Sequence, residues 1–277
     1  MKNYLMFCLL ALFSYTSLAQ PDTPVEEWKG KTILLIGAHP DDDTYVQGTL
    51  AMLQDHGNEV FIAILTTGNV GTQDLSLSMT DLANIRLEEE LAALTELGIP
   101  ADHYINLGYD DGLLEYENKK EVVSKLVRLI RKIRPDVLFA FDPGKGEQRW
   151  HNADHRSAAY LAADAARAAM WPLLFQGQVT VEGLTAHTVP EFALFDGAEK
   201  DKNTWVDISD YKDMKIKAMS KYVSQWSSGW YKYTGPELSE KEQKEVIDRV
   251  SSRIKYVDGK AVEGFRYYEG LPDNIGR

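Results

Sequence analysis

Short, densely apolar runs alternate along this chain with longer stretches in which apolar residues return every three or four positions. Thr32-Ile-Leu-Leu-Ile-Gly37 reads as a strand buried on both faces, and Glu59 to Thr66 (EVFIAILT) as a second. Between them, Thr44 to Gly57 has helical spacing ending at a glycine. Asp81 to Gly98 carries Leu87, Leu91 and Leu94 at helical spacing and closes on Gly98-Ile-Pro100, a helix stop. His103 to Gly108 is a weaker third strand. Val122, Leu126, Ile130 and Ile133 stripe a third helix, and Asp136 to Phe141 (DVLFAF) supplies a fourth strand. Ala-rich Asp154 to Trp171 reads as a strong helix, and Glu191 to Asp196 and Trp205 to Ile208 as later strands.

Strands alternating with crossover helices predict an α/β fold: a Rossmann-like, mainly parallel sheet with helices on both faces. Ligand sites in such sheets fall at the carboxyl ends of strands, so the loops after Gly37, Thr66, Gly108 and Phe141 are where chemistry is expected. No repeat, low-complexity segment or long linker interrupts residues 31–277, which read as one domain behind a polar, proline-containing lead at 20–30.

Residues 1–19 (MKNYLMFCLLALFSYTSLA) have one basic residue, Lys2, then an apolar run, then small and polar residues ending Ser17-Leu18-Ala19. That is the pattern of a secretory signal peptide, and Ser14, Thr16 and Ser17 end the run too early for a membrane span. The protein is therefore expected to be exported, to the periplasm or the extracellular space, without a stable membrane anchor. Cleavage after Ala19 would also remove Cys8, the only cysteine, leaving His, Asp and Glu as the side chains able to hold a metal.

The composition, 277 residues at 44% hydrophobic and 26% charged, excludes a disordered, collagen-like or multispan membrane chain. A formal charge of −12 leaves no basic field for phosphate, so no nucleic-acid partner is expected.

Gly37-Ala-His-Pro-Asp-Asp-Asp43 then puts one imidazole and three carboxylates into five positions at a strand end. Mutual repulsion makes this costly unless a positive charge sits among them, and a divalent cation is the direct answer. The competing reading, carboxylates capping the next helix, accounts for one of the three well and for all three poorly. The second cluster is Asp142-Pro-Gly-Lys-Gly-Glu-Gln-Arg-Trp-His151-Asn-Ala-Asp-His155-Arg156. Asn152 can cap the Ala-rich helix, placing His155 in its first turn, where the helix dipole disfavours imidazolium and so favours the neutral ligand form. Two histidines and one aspartate with open positions suit a catalytic zinc site or a ferrous facial triad. Trp226, Trp230, Tyr231 and Tyr233 form an aromatic cluster able to stack on sugar faces.

Ala38-His-Pro-Asp-Asp-Asp43, with Asn152-Ala-Asp154-His155-Arg156 later, resembles the signatures of the PIG-L/LmbE-like zinc-dependent N-deacetylases. Further matching segments are Thr67-Gly68-Asn-Val-Gly71, Arg86-x-x-Glu89, Tyr109-Asp110-Asp111-Gly112, Arg134-Pro135-Asp136-Val137, Ser224-Gln225 and Glu263-x-Phe265-Arg266. The resemblance implies that His39, Asp42 and His155 bind Zn2+ and that Asp41 is the general base. It implies an N-acetylated amino sugar or related glycoconjugate as substrate, with Arg86 and Asp111 as substrate contacts. Two positions depart from the pattern. Asp43 replaces a glutamate, and Asn152 stands where the family commonly has a histidine implicated in oxyanion stabilisation. Either His151, one position earlier, or the Asn152 amide is left to fill that role. Two competing functions are a ferrous oxygenase and a non-catalytic carbohydrate-binding protein of the same fold.

Overall fold

The computed structural model describes residues 20–145 and 152–275. The leader reading of residues 1–19 and the candidate His151 lie outside the described residues.

The alternating pattern folds as β1 (Thr32–Gly37), α1 (Gln47–Asp55), β2 (Glu59–Thr66), α2 (Met79–Glu96), β3 (Tyr104–Tyr109), α3 (Lys119–Ile133), β4 (Val137–Phe141), α4 (Ala153–Ala169), a short α5 (Gln176–Thr180) and β5 (Glu191–Phe195). Then follow β6 (Thr204–Asp207), α6 (Lys212–Met219), the single-turn α7 (Val223–Trp226), α8 (Glu240–Ser251), β7 (Lys255–Val257) and β8 (Lys260–Glu269). The sheet order is β3-β2-β1-β4-β5-β8-β6, with β7 also on β8. The first five strands are parallel, while β8 runs antiparallel to β5, β6 and β7. On one side α3 and α4 pack together and against β1; α1, α2 and α6 form a second helical group. The mainly parallel α/β sheet read from the sequence is thus the observed one.

The strand order reverses between β1 and β4. That is the switch point, where two chains leave the sheet in opposite directions and open a crevice between their loops. Ile33 to Ile36 in β1 and Val137, Phe139 and Phe141 in β4 are fully buried, so both strand ends rest on a rigid, dry floor.

Several boundaries moved for local reasons. The stretch expected as a helix from Thr44 begins as a 3-10 turn over Asp42–Tyr45, and α1 starts only at Gln47. α2 starts earlier than expected because Ser78 and Asp81 form a capping box. The lead is part of the packing: Val25 and Trp28 are buried, and Glu26 accepts from the Asp207 N–H at 3.0 Å.

No aspartate of the 41–43 run caps α1, whose N-cap, Val46, supplies no side-chain hydrogen bond. The cap comes from 215 residues away: Glu263 on β8 accepts from the N–H groups of Gly48 at 2.9 Å and Thr49 at 2.7 Å. Lys215 of α6 donates to the same carboxylate at 2.6 Å, and both side chains of the pair are buried. The expected Glu263→Ala variant loses about 3–5 kcal/mol, because it strands a buried ammonium and two helix N–H groups. Chemical denaturation measures this; a loss below about 1 kcal/mol, the scale of an exposed pair, would contradict it.

Candidate metal centre and active site

Asp42 is built into the turn after β1. Its Oδ2 accepts from the backbone N–H of Ala38 at 2.6 Å and of His39 at 2.8 Å, folding the carboxylate back over the strand end. Gly37 makes room for this: a Cβ there would lie 3.0 Å from Asp42 Cβ and 2.8 Å from Ile64 Cδ1. The other oxygen, Oδ1, sits 3.2 Å from His155 Nε2. His155 occupies the first turn of α4, whose N-cap is Asn152, with its Oδ1 accepting from the Asp154 N–H at 2.9 Å. The His155 ring stacks on Phe141 at the end of β4, centroids 4.3 Å apart, which fixes its orientation.

His39 closes the triangle. Its Nδ1 faces His155 Nε2 at 3.2 Å, while Nε2 lies 3.0 Å from Asp111 and 3.3 Å from Asp154. Nε2 therefore donates to these carboxylates, and Nδ1 is the nitrogen turned toward His155 and Asp42, an assignment made from these partners. Asp154 is itself fixed by the N–H groups of Gly112 at 2.7 Å and Leu114 at 3.2 Å.

One ligand atom each of His39, Asp42 and His155 lies within 4.8 Å of the other two. The two separations of 3.2 Å match the edge of a tetrahedron with metal-to-ligand bonds of about 2.0 Å, so the donor set fits a divalent metal such as zinc. A second group, His39 with Asp111 and Asp154, likewise brings its ligand atoms within 4.8 Å of one another. Asp154's two backbone donors and the His39 N–H make that group a support for the first.

Electrostatics follow this geometry. Burial alone would push the His39 imidazole down, but hydrogen bonds to Asp111, Asp154 and Asp42 hold it well above its ordinary value. Burial likewise opposes ionisation of Asp42, yet the His155 and His39 imidazoles keep it well below the usual carboxylate range. In Asp41 burial prevails over the nearby Arg86 and the value rises.

Asp41 does not join the triangle. Its backbone is left-handed, φ 98°, which separates its side chain from that of Asp42. Arg86 reaches across from α2 to donate to Asp41 Oδ1 at 2.9 Å and to the Pro40 carbonyl. Gly68 permits this crossing, since a Cβ there would meet Arg86 Cδ at 2.9 Å. Arg86 is thus buried and partnered, with one edge on the cleft.

The cleft over these residues has a volume of about 570 Å³. His39, Asp41, Asp42, Arg86, Asp111, Asn152 and His155 all line it. So do Trp226 and Trp230, whereas Tyr233 lines a separate groove beside α2 and α8. Every catalytic, metal-binding and substrate-binding residue named from the sequence is therefore gathered in one place, apart from His151, which is outside the described residues, while of the aromatic cluster Trp226 and Trp230 line the cleft and Tyr231 and Tyr233 do not.

A family model described as PIG-L, GlcNAc-PI de-N-acetylase, matches residues 34–166, a span that holds both metal-facing loops. A diacetylchitobiose deacetylase of Thermococcus kodakarensis is 32% identical over 242 residues, covering 87% of this chain and 82% of that protein. The chain belongs to the PIG-L family of N-deacetylases. Within the family, a 1D-myo-inositol 2-acetamido-2-deoxy-alpha-D-glucopyranoside deacetylase of Catenulispora acidiphila is 32% identical over 183 residues, 57% of this chain and 55% of that protein. The solved structure of N,N'-diacetylchitobiose deacetylase from Pyrococcus horikoshii matches the fold with a TM-score of 0.72 at 28% identity, over 86% of this chain and 84% of that one.

Sequence reasoning missed the Asp154 support of His39, the clefts's Tyr45 and Arg253, and the partners of Arg86. Asp154 lies one residue before a recognised ligand candidate and Tyr45 two after the Asp41–Asp43 run, so spacing marks both; Arg253, just after α8, comes from a segment with no local signal. If the triangle is the metal centre, elemental analysis of purified protein gives about one divalent ion per chain, lost in His39→Ala and in His155→Ala. Asp154→Ala, which frees the His39 ring, weakens metal affinity by about 10–100-fold. Full metal content in both histidine variants would place the ligands elsewhere.

Proposed function

We propose that this protein removes the acetyl group from an N-acetylated glucosamine unit in a small saccharide or glycoconjugate, with zinc held by His39, Asp42 and His155. The observation that carries the reading is the pairing of a buried two-histidine, one-aspartate triangle with an adjacent carboxylate, Asp41, that is excluded from it and opens on the same cleft. When bound, zinc would polarise the amide carbonyl and bring a water's pKa toward neutrality.

The chain's own residues do the rest. Asp41 takes the proton of the attacking water as the carbon–oxygen bond forms, then returns it to the nitrogen as the carbon–nitrogen bond breaks, releasing acetate and a free amine. Arg86 restrains that carboxylate through Oδ1. Asp111 holds the His39 N–H and presents its edge to the cleft, in reach of sugar hydroxyls. Asn152 spends its carbonyl oxygen on the helix cap, which leaves its amide NH₂ as the donor available toward a developing oxyanion, with His151 the alternative donor. Trp226 and Trp230 supply aromatic faces for a pyranose ring. A purely carbohydrate-binding role leaves Asp41, held beside the triangle by Arg86, without a purpose. A ferrous oxygenase is disfavoured by membership in a deacetylase family.

The reading includes export, supported by the composition of residues 1–19 alone. N-terminal sequencing of protein secreted by a native-like host is expected to begin near Gln20, and Met1 on the mature chain would overturn export.

The reaction is tested with zinc-loaded protein and a panel of N-acetylglucosamine, N,N'-diacetylchitobiose and N-acetylglucosaminyl inositol, following free acetate and new primary amine together. Asp41→Asn is expected to keep its zinc and lose about 10²–10⁴-fold in turnover. Activity lost only along with the metal would make Asp41 a ligand, and activity kept in full would remove it from the mechanism.

A further inference from the structure

The conformation that aims Asp41 is held by two side chains of α2, Arg86 at the cleft wall and Glu90 behind it. At φ 98° Asp41 occupies a region that costs a non-glycine residue about 1–3 kcal/mol, so something must keep it there. The simplest escape is a rotation of the Pro40–Asp41 peptide plane, which would carry φ of Asp41 out of the left-handed region and swing its carboxylate with it.

That peptide is gripped at both ends. Its carbonyl, on Pro40, accepts from Arg86 Nη2, and its N–H, on Asp41, donates to Glu90 Oε2 at 3.0 Å. Arg86 and Glu90 lie four residues apart on α2, hence on one face of the helix. The Glu90 oxygen is in turn 3.0 Å from Tyr222 Oη, which is 3.0 Å from Asp43 Oδ1. Gln47 donates to the other Asp43 oxygen at 2.8 Å. Glu90, Tyr222, Asp43 and Gln47 are all fully buried, and none of them lines the cleft.

We propose that Glu90, with Arg86 from the adjacent turn of α2, is a positioning residue that clamps the Pro40–Asp41 peptide and so aims the Asp41 carboxylate into the cleft. Glu90, fully buried and outside the cleft, touches no substrate and acts through Asp41 alone, an inference that rests on Asp41 being the base. Its partner Tyr222 keeps the Glu90 oxygen in place from the far side.

Two readouts test it. Crystal structures of Glu90→Ala and of the milder Tyr222→Phe are compared with wild type for the Asp41 backbone. The proposal expects Asp41 to leave the left-handed region in Glu90→Ala, and an unchanged Asp41 would overturn it. Kinetics on N,N'-diacetylchitobiose are then run as a double-mutant cycle. Glu90→Ala is expected to lower kcat about 10²-fold with KM and zinc content unchanged, the scale of a misplaced catalytic group. Glu90→Gln, which keeps an oxygen to accept the Asp41 N–H, restores most of that loss. In an Asp41→Asn background, Glu90→Ala costs nothing further; an equal loss in both backgrounds would mean a merely structural role and overturn the proposal. If Glu90→Ala does not fold, Tyr222→Phe takes its place in both arms, with a smaller loss that again appears only when Asp41 is present. Should Asp41→Asn alone leave turnover intact, the base assignment fails, while the Asp41 conformation in the variants still decides whether the clamp exists.

Discussion

Four carboxylates and two imidazoles converge on the ends of β1 and β4, and the remainder of the site is organised around keeping that concentration of charge tolerable. Acids crowded into a dry crevice repel one another unless each lone pair is taken up and positive charge is brought in. Here the acids are sorted. Asp42 is held by two backbone N–H groups and faces His155, Asp154 is held by two others and faces His39, and Asp111 closes on the same His39 nitrogen. His39 Nδ1 and His155 Nε2, two nitrogens facing each other at 3.2 Å, mark where a cation fits.

Three successive aspartates illustrate how a fold gives one residue type three separate fates. Asp42 turns onto the triangle. Asp41, thrown to the other side by a positive φ, meets Arg86 at the cleft wall. Asp43 points into the core, where Gln47 and Tyr222 hydrogen-bond it and burial pushes its carboxyl to about 7. Asp43 thus belongs to the scaffold behind the turn.

Much of this was legible in the sequence because its causes are local. Four of the first five strands, β3 being the weak one, announce themselves as apolar runs, and the crowding of His39 with Asp41 to Asp43 at a strand end signals a metal by simple repulsion. Beyond β6 the chain was not legible, for the opposite reason. β8 (KAVEGFRYYE) buries Glu263 and Arg266 among its apolar residues, which breaks the strand pattern, and both are satisfied by distant partners: Gly48, Thr49 and Lys215 for the first, Asp142 for the second. The same holds for Glu90 and Tyr222, whose significance exists only once α2 and the segment before α7 are folded against the turn after β1. The capping of α1 shows the point most simply: three acids stood just before it in sequence, and the acid that caps it comes from β8.

The central claim is that His39, Asp42 and His155 form one metal centre from which Asp41 is excluded. Anomalous diffraction at the zinc edge from crystals of the zinc-loaded protein tests it most directly. The account predicts a single strong peak per chain, bonded to His39 Nδ1, Asp42 Oδ1 and His155 Nε2 at about 2.0–2.2 Å, with the Asp41 carboxylate outside bonding distance. A peak bonded to Asp41, or one seated instead between Asp111 and Asp154, would contradict it.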